Sequence, residues 1–454
     1  MKEIRLLAPN GNLGSGYLLA SLENGLSAAP DLIACDSGST DNGPSSLATG
    51  EPYFPRPLYV RDLAHLVRAG LARRIPVIIG SAAGAGTDSG VDFLAEIVRE
   101  VVGKEGQHCR LARIYSDQSK VYVLEKLAAR RISALWPSPE LAPETVERAE
   151  RIVGMMGCEP FMAALDAGAD VIVAGRSSDT SLFAALPLLR GFPPGPAWHA
   201  GKILECGAAA TVHRFHPDCM MAAVREDHFI VWPPNPEMAC STVSVAAHTL
   251  YENADPYLMR EPSGTLVTTH CRYEQVDDRS VKVSGSQFQE ARPYTIKLEA
   301  SEFVGFHSLA IGGIRDPMIV HHLAPFLAEV RARAERQILD SVGLRPSQYM
   351  LHLRVYGRDG VMGPLEPIKE PAHEVGIVFE AFAPAQEQAN AIVATTYYLA
   401  LHNRVPQWTG MVTNLATPYS PAVVPRGRAF RFSINHTVEP DTPFEMFRTE
   451  FEQL

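Results

Sequence analysis

The sequence lacks the features of secreted, membrane-spanning and nucleic-acid-binding proteins. Its seven cysteines are scattered and never spaced as CxxC, which argues against a disulfide framework and a structural zinc site. No apolar run approaches the ~20 residues that a membrane-spanning helix needs. Lys and Arg total 41 against 51 Asp and Glu, a formal net charge of −10, so the basic surface of nucleic-acid-binding proteins is missing. We therefore expect a cytoplasmic protein without nucleic-acid or membrane partners.

Several catalytic signatures are also absent. The sequence contains neither HExxH nor GxSxG, which weighs against a zincin and an α/β-hydrolase. Its first glycine-rich loop has neither the GxGxxG spacing of dinucleotide-binding folds nor the GxxxxGK[ST] spacing of a P-loop. The chemistry must therefore be inferred from where polar residues fall in the fold.

What the sequence does contain is a repeated unit of apolar strand, polar turn and helix. Five such strands are predicted, at residues 4–7, 32–34, 77–79, 111–115 and 171–174. Continuous apolar strands that alternate with helices are typical of a parallel sheet covered on both faces. We predict an N-terminal doubly wound, mostly parallel α/β domain over residues 1–235.

The rest of the chain has a different rhythm. Residues 236–300 contain short alternating strand patterns and are interpreted as a β-rich crossover segment. Residues 301–454 show the order β-α-β-β-α-β, with a long helix from Pro317 to Leu339 and another from Gln386 to His402. This order predicts a ferredoxin-like α+β domain.

Small polar residues follow each of the five strands of the first domain. In an open parallel sheet, ligands bind beyond the carboxyl ends of the strands, so we expect these turns to enclose one anionic ligand. The turns Gly11–Gly16 and Ser81–Asp88 are rich in small residues, whose backbone N–H groups can bind an anion at a helix N-terminus, although turn geometry alone also explains the glycines. The predicted substrate- or anion-binding residues are Gly11, Asn12, Gly14, Ser37, Ser39, Ser81, Gly84, Gly86, Thr87, Ser116, Ser177 and Ser178.

Charged residues at the same strand ends are the catalytic candidates. Asp36 stands at a strand tip and is the first candidate for proton transfer, with Asp179 the second. Arg176 is the expected partner of a carboxylate or phosphate, because its planar guanidinium binds oxyanions through two hydrogen bonds. Asp36, Asp41 and Asp88 are candidate ligands for Mg²⁺ or Mn²⁺, although Asp88 is equally suited to cap a helix.

Three further features favour structural interpretations. Lys202 and Glu205 have the spacing of an i,i+3 surface ion pair on a helix. Cys206 is interpreted as a small buried thiol. His248 and Glu252 have i,i+4 spacing, which predicts a structural polar cluster, with acid–base chemistry as the alternative.

Five short strings carry a family resemblance: Gly11–Gly16, Cys35–Pro44, Tyr115–Gln118, Gly154–Gly157 and Gly175–Thr180. In these strings, and over roughly residues 3 to 340, the chain resembles the acyclic terpene utilisation family, AtuA. The resemblance implies a role in cleaving or hydrating a branched hydroxy-acyl-CoA. It also implies a ferredoxin-like module, which some members carry and others receive from a small companion protein. No catalytic residue is carried over from the family.

Together these observations predict a lyase or hydro-lyase that acts on a small branched (hydroxy)carboxylate or its acyl-CoA thioester in acyclic terpene or organic-acid catabolism. CoA would serve as the substrate carrier. The alternatives are a ligand-binding or accessory subunit without its own catalysis, and a hydrolase or ligase acting on a phosphorylated substrate. A homo-oligomer or a small ferredoxin-like companion is the expected protein partner.

Overall fold

The computed structural model describes residues 2–213, 217–405 and 413–454. The chain divides into two compact units, one comprising Met1–Glu302 with Phe432–Leu454 and the other Phe303–Arg431. This grouping differs from the three segments that the sequence pattern suggested. The difference arises because the last strand of the chain pairs with a strand of the first unit.

The described residues form nineteen strands and thirteen α-helices. The strands are β1 Ile4–Ala8, β2 Leu32–Gly38, β3 Val77–Gly84, β4 Arg110–Tyr115, β5 Ile132–Ala134, β6 Ala149–Met155, β7 Val171–Ala174, β8 Met220–Val224, β9 His228–Trp232, β10 Leu258–Glu261, β11 Gly264–Val267, β12 Arg272–Gln275, β13 Val281–Ser284, β14 Gln287–Glu290, β15 Ile296–Ile314, β16 Met350–Tyr356, β17 Val375–Ala383, β18 Val424–Val438 and β19 Arg448–Gln453. The helices are α1 Leu19–Ser27, α2 Ser45–Thr49, α3 Arg56–Arg73, α4 Asp88–Glu105, α5 Lys120–Ala128, α6 Pro143–Arg148, α7 Glu159–Asp166, α8 Ser181–Leu189, α9 Pro194–Leu204, α10 Thr242–Thr249, α11 Pro317–His321, α12 Leu323–Val342 and α13 Gln386–His402.

A ten-stranded mixed sheet organises the first unit, in the order β12-β13-β9-β8-β1-β2-β3-β7-β4-β19. Its five central strands, β1, β2, β3, β7 and β4, are parallel to one another. These are the five strands that the sequence pattern predicted. The flanking strands pair antiparallel, so the sheet as a whole is mixed.

Both faces of this sheet are buried, which explains why its central strands are apolar along their whole length. Successive residues of β1 point to opposite faces, so Leu6 packs into one core and Leu7 into the other. Helices α7, α8 and α9 contribute to the first core, and α1, α3 and α4 contribute to the second. The doubly wound α/β arrangement is therefore confirmed for the centre of the sheet.

The predicted crossover segment belongs to the first unit. Its strands β12 and β13 extend the central sheet through β9, while β10, β11 and β14 form a separate three-stranded sheet. At the other edge, β19 pairs antiparallel with β4 from Arg448 opposite Tyr115 to Gln453 opposite Arg110.

The second unit contains the predicted β-α-β-β-α-β order of elements. Apolar residues of α12 recur every three to four positions, and the helix ends at Gly343, whose φ of +75° suits the left-handed capping position. The predicted helix Pro317–Leu339 is divided into α11 and α12, with the Asp316 carboxylate capping α11.

A self-contained ferredoxin-like domain is not shown. The strands of the second unit belong to an antiparallel, curled half-barrel sheet in the order β16-β17-β15-β18-β5. Strands β15 and β18 are 19 and 15 residues long, and each runs from one unit into the other. Element order alone could not reveal strands shared in this way, because it carries no information on strand length.

Within the described ranges, no helix combines the length and apolar character needed to cross a membrane.

Candidate functional site

A cavity of about 480 Å³ opens at the carboxyl ends of β1, β2 and β7 in the first unit. Its lining residues at or just after these strands are Gly11, Asn12, Ser15, Gly38, Ser39, Asp41 and Asp179. The end of α9 and the segment containing α10 supply most of the remainder: Glu205, Cys206, His248, Tyr251 and Glu252. Five of the residues selected from the sequence therefore line one cavity: Gly11, Asn12, Ser39, Asp41 and Asp179.

The backbone amides of the first glycine-rich turn already bind a carboxylate of the protein itself. The carboxylate of Asp62, on α3, accepts hydrogen bonds from the backbone N–H groups of Gly14 at 2.8 Å and Gly16 at 3.0 Å. Both glycines have positive φ, 102° and 88°, which a residue with a Cβ rarely adopts. Gly14 is therefore needed for the backbone conformation of the turn and not for ligand binding in the cavity. The amides that were predicted to bind a substrate anion already donate to the buried Asp62.

Gly11 and Asn12, in contrast, lie at the cavity wall. A Cβ on Gly11 would come within 2.8 Å of the Cys206 Cα, so glycine is required for the close approach of these two backbone segments. The Asn12 Oδ1 is shielded from solvent and has no hydrogen-bond partner among the described residues.

The second small-residue turn, after β3, packs against protein instead of lining the cavity. Gly86 accepts a hydrogen bond from the Arg176 N–H at 2.8 Å, and a Cβ at Gly86 would lie 2.3 Å from that nitrogen. The Gly84 carbonyl accepts the Ser39 N–H at 3.0 Å. Thr87 caps α4 by accepting the Gly90 N–H at 3.2 Å. The composition of this turn predicts an anion site, but in the structure its backbone forms hydrogen bonds to the turns that follow the adjacent strands.

Four of the predicted serines share this supporting role beneath the cavity. Ser37 accepts the Ala83 N–H, and Ser81 lies 3.4 Å from both the Arg176 guanidinium and the Ser177 N–H. Ser116 donates to the Gly86 carbonyl at 2.6 Å. All four of these serines, Ser37, Ser81, Ser116 and Ser177, are fully buried, and none of them lines the cavity.

Asp36 and Asp179 are carboxyls with raised pKa values, and the charge of Asp36 acts on Asp179. Asp36 is only 1% exposed, accepts the Gly38 N–H at 2.9 Å through Oδ2, and has no partner at Oδ1 among the described residues. Burial raises its pKa to about 6, while the Gly38 N–H and Arg176 act in the opposite direction. Burial and then the charge of Asp36 raise the pKa of Asp179 well above its ordinary value. Both effects favour the protonated form of the Asp179 carboxyl at the cavity wall.

Arg176 stands behind these carboxyls and not in the cavity. Its Nε donates to Glu299 on β15 at 2.6 Å, and both side chains are largely buried. Burial alone would lower the pKa of Arg176, but Glu299 and Asp179 outweigh burial and raise it. Burial would likewise raise the pKa of Glu299, yet Arg176 and Lys297 lower it to about 2. The sequence predicts that the Arg176 guanidinium binds a substrate anion, whereas in the structure the guanidinium is paired with Glu299.

The three carboxylates proposed as metal ligands do not converge. Asp88 accepts the N–H groups of Ser116 at 3.0 Å and Asp117 at 2.9 Å, so it joins the turns after β3 and β4. Asp41 lines the cavity, whereas Asp36 is buried beneath it. Across residues 2–213, 217–405 and 413–454, no group of three His, Cys, Asp or Glu side chains is arranged to hold a metal ion.

Glu205 is the cavity residue whose position the sequence interpretation missed. Its carboxylate pairs with Lys202 at 2.6 Å and accepts the Thr180 hydroxyl at 2.6 Å, and all three side chains are buried. Burial raises the pKa of Glu205, and Lys202 partly opposes this. The pair has the expected i,i+3 spacing, but it is buried at the cavity wall and does not lie on the surface. Spacing on a helix cannot distinguish these cases, because it carries no information on which face is buried.

Cys206, His248, Tyr251 and Glu252 complete this part of the wall. Burial and then Glu205 raise the pKa of the Cys206 thiol, which keeps it protonated. The rings of His248 and Tyr251 stack with centroids 5.6 Å apart. The spacing of His248 and Glu252 signalled a polar cluster, and the structure places that cluster at the cavity.

A family model described as acyclic terpene utilisation family protein AtuA matches residues 51–429 of the chain. This range covers most of the chain and includes the second unit, beyond the roughly 340 residues over which the resemblance was noted. No curated protein and no solved structure matches the chain.

Proposed function

The chain belongs to the acyclic terpene utilisation family AtuA, and on that premise we propose that it is a lyase or hydro-lyase acting on a branched hydroxy-acyl-CoA thioester. The observation that carries this proposal is the position of Asp179. Its carboxyl lies at the wall of the cavity, and its raised pKa favours the protonated form. A pKa raised by burial and by a specific charged neighbour is a frequent property of catalytic acids.

Asp179 would exchange its proton with the substrate. In a dehydration, the Asp179 carboxyl gives its proton to the departing hydroxyl, which leaves as water, and the Asp179 carboxylate takes the proton that the adjacent carbon loses as the double bond forms. In a carbon–carbon cleavage, the Asp179 proton goes to the enolate carbon that remains, and Asp179 takes up the proton of the substrate hydroxyl, whose oxygen becomes the carbonyl of the other product. Both reactions suit a carboxyl that is protonated before the substrate binds.

Asp36 and Arg176 act through Asp179 as positioning residues. Asp36 is too deeply buried to touch a substrate in the cavity, but its charge raises the pKa of Asp179. Arg176 lowers the pKa of Asp36 and so favours the ionised form of that carboxylate. The proposal therefore moves the catalytic role from Asp36, the first candidate in the sequence, to Asp179.

The lining favours a thioester over a free carboxylate. The described lining residues include Asp41, Asp179, Glu205 and Glu252 but no lysine or arginine. A free carboxylate would be repelled by the ionised members of this set, whereas a thioester is uncharged at its reacting end.

The test is turnover of branched hydroxy-acyl-CoA thioesters by the purified protein, followed by mass spectrometry with and without added Mg²⁺ or Mn²⁺. We expect Asp179→Asn to lower kcat by about 10²- to 10⁴-fold with little change in Tm. The matched control is Asp117→Asn, which removes a carboxylate that does not line the cavity.

Wild-type turnover by Asp179→Asn would contradict the proposed role of Asp179. Absence of turnover with every thioester, from correctly folded protein, would instead favour the accessory-subunit alternative. Turnover that begins only after a small companion protein is added would support the same alternative.

A further inference from the structure

The carboxyl that the proposed reaction uses has no side-chain partner to hold it in place. Among the described residues, the Asp179 carboxyl takes part in no hydrogen bond and no ion pair. Its position therefore depends on the backbone of the turn after β7, which sets the direction of the side chain. A displacement of about 1 Å at a reacting group can lower a rate about 10²-fold, so catalysis by Asp179 requires that this backbone be fixed.

Ser178 fixes the turn on one side of Asp179. Its N–H donates to the Met156 carbonyl at 2.9 Å, just after β6. Its carbonyl accepts the Ser181 N–H at 3.0 Å and the Ser181 hydroxyl at 2.5 Å. These bonds close the turn around Asp179 and connect its first half to the end of a strand.

Thr180 connects the other side of Asp179 to α9. Its hydroxyl donates to the Glu205 Oε2 at 2.6 Å, and the Glu205 Oε1 accepts the Lys202 ammonium at 2.6 Å. A Cβ on Gly201 would lie 2.6 Å from the Thr180 carbonyl oxygen, so α9 packs directly against the backbone of Thr180. The turn and the helix are thus joined by a side-chain hydrogen bond and by a close backbone approach.

This connection joins two segments of the cavity wall. Asp179 comes from the turn after β7, whereas Glu205 and Cys206 follow α9, and all three residues line the cavity. The hydrogen bond of Thr180 to Glu205 is strengthened by the charge of its acceptor, which the ion pair with Lys202 holds in place. A buried ion pair is seldom the most stabilising choice for a core, so its place at the cavity wall favours a role in the geometry of the site.

We propose that Thr180 is a positioning residue for Asp179, and that its hydrogen bond to Glu205 fixes the Asp179 carboxyl at the cavity wall. The inference rests on the catalytic role proposed above for Asp179. Thr180 keeps its proton in this role, and Glu205 remains its acceptor. Lys202 acts one step further back, since it holds Glu205.

The kinetic test uses Thr180→Val, which removes the hydroxyl and keeps a branched side chain. With a thioester that is turned over, we expect kcat to fall about ten-fold with KM nearly unchanged, because the alignment of Asp179 matters in the transition state. Thr180→Ser should restore the rate. The matched control is Thr396→Val in the second unit, which removes a buried hydroxyl that donates to the Ile392 carbonyl at 2.8 Å and should leave kcat unchanged.

The connection is also measurable without a substrate, by amide hydrogen exchange. In Thr180→Val we expect the backbone N–H groups of residues 176–181 to exchange about ten-fold faster, because local opening of the turn no longer breaks a hydrogen bond to a charged acceptor. Thr180→Ser should restore slow exchange, and Thr396→Val should leave exchange in this turn unchanged.

These outcomes separate the inference from the proposed function. Unchanged exchange in Thr180→Val overturns the inference whether or not the protein is active. Wild-type kcat in Thr180→Val, when Asp179→Asn is inactive, overturns the inference and leaves the proposed function in place. Faster exchange in a protein that turns over no thioester supports the connection of the turn to α9 and contradicts the proposed function. Should Thr180→Val not fold, Thr180→Ala and Thr180→Ser, which differ only in the hydroxyl, give the same comparison.

Discussion

Two aspartate pairs lie at the carboxyl ends of the parallel strands of the central sheet, each beside an arginine, and they have opposite environments. In the loop pair, Asp88 and Asp117 accept backbone N–H groups from each other's turns, and Asp117 also pairs with Arg151. In the cavity pair, Asp36 has an unpartnered oxygen, and Asp179 faces the cavity. The loop pair fastens two turns together, whereas the cavity pair leaves the Asp179 carboxyl at the cavity wall, with Asp36 buried beneath it.

The comparison of the two pairs shows which property of a carboxyl group indicates a functional site. Both pairs contain buried carboxyls with raised pKa values, about 6 for Asp36 and about 6 for Asp117. What distinguishes them is whether the backbone satisfies the oxygens, because a satisfied carboxylate is held in place and an unsatisfied one costs stability unless a ligand or a proton compensates. The cavity pair therefore indicates function, while the loop pair indicates structure.

The largest expected effect on stability is the loss of Arg176, which we compare with the loss of Arg151. Arg176→Gln leaves Glu299 buried without its main partner, and we expect the free energy of unfolding to fall by about 3–5 kcal/mol. The more exposed pair of Arg151 with Asp117 is worth about 1 kcal/mol or less, so Arg151→Gln is the control. Urea unfolding at neutral pH measures both. Equal losses of unfolding free energy in the two variants would contradict the different contributions that we assign to Arg176 and Arg151.

The next effect is expected at Asp88. Asp88→Ala leaves the Ser116 and Asp117 N–H groups without their acceptor, which should cost about 1–3 kcal/mol of unfolding free energy.

Asp36→Asn should leave Tm nearly unchanged, because the folded state already disfavours the ionised Asp36, but it should reduce turnover by altering the pKa of Asp179. A large loss of stability in Asp36→Asn would make Asp36 a structural residue like Asp88.

A smaller effect is expected in the pH dependence of stability. The folded state raises the pKa of Asp36 from 3.8 to about 6, so it favours the protonated form. The stabilisation from Asp36 is therefore fully present below about pH 4 and is lost as the pH rises through 6. Unfolding free energies of the wild type and Asp36→Asn, measured from about pH 4 to about pH 7, should differ by an amount that changes in this direction. A constant difference would contradict the raised pKa.

The smallest effect is expected at Asp41, which lines the cavity but is exposed. Asp41→Asn should change the free energy of unfolding by no more than about 0.5 kcal/mol. If a divalent cation enters with the substrate, the same substitution should weaken the dependence of turnover on Mg²⁺. An unaltered Mg²⁺ dependence would remove Asp41 from the list of metal ligands.

The local sequence was informative about strands and less so about turns. The five parallel strands could be predicted because burial on both faces requires continuous apolar runs, and β1 and β7 show this plainly. The turns Gly11–Gly16 and Ser81–Asp88 could not be distinguished, because small polar residues suit both a ligand-binding turn and a turn packed against protein. Asp62, which occupies the amides of the first turn, lies 46 residues beyond Gly16 and gave no local signal.

The chain by itself determined that a doubly wound α/β core would form and that polar turns would gather at the carboxyl ends of its strands, since apolar periodicity fixes which residues are buried. Only the tertiary structure decided which turns face the cavity, that Arg176 is held by Glu299, and that Glu205 and Asp179 line the same cavity. The reason is that pairing of charges and hydrogen-bond partners depends on distances between segments far apart in the chain, and composition carries no information about those distances.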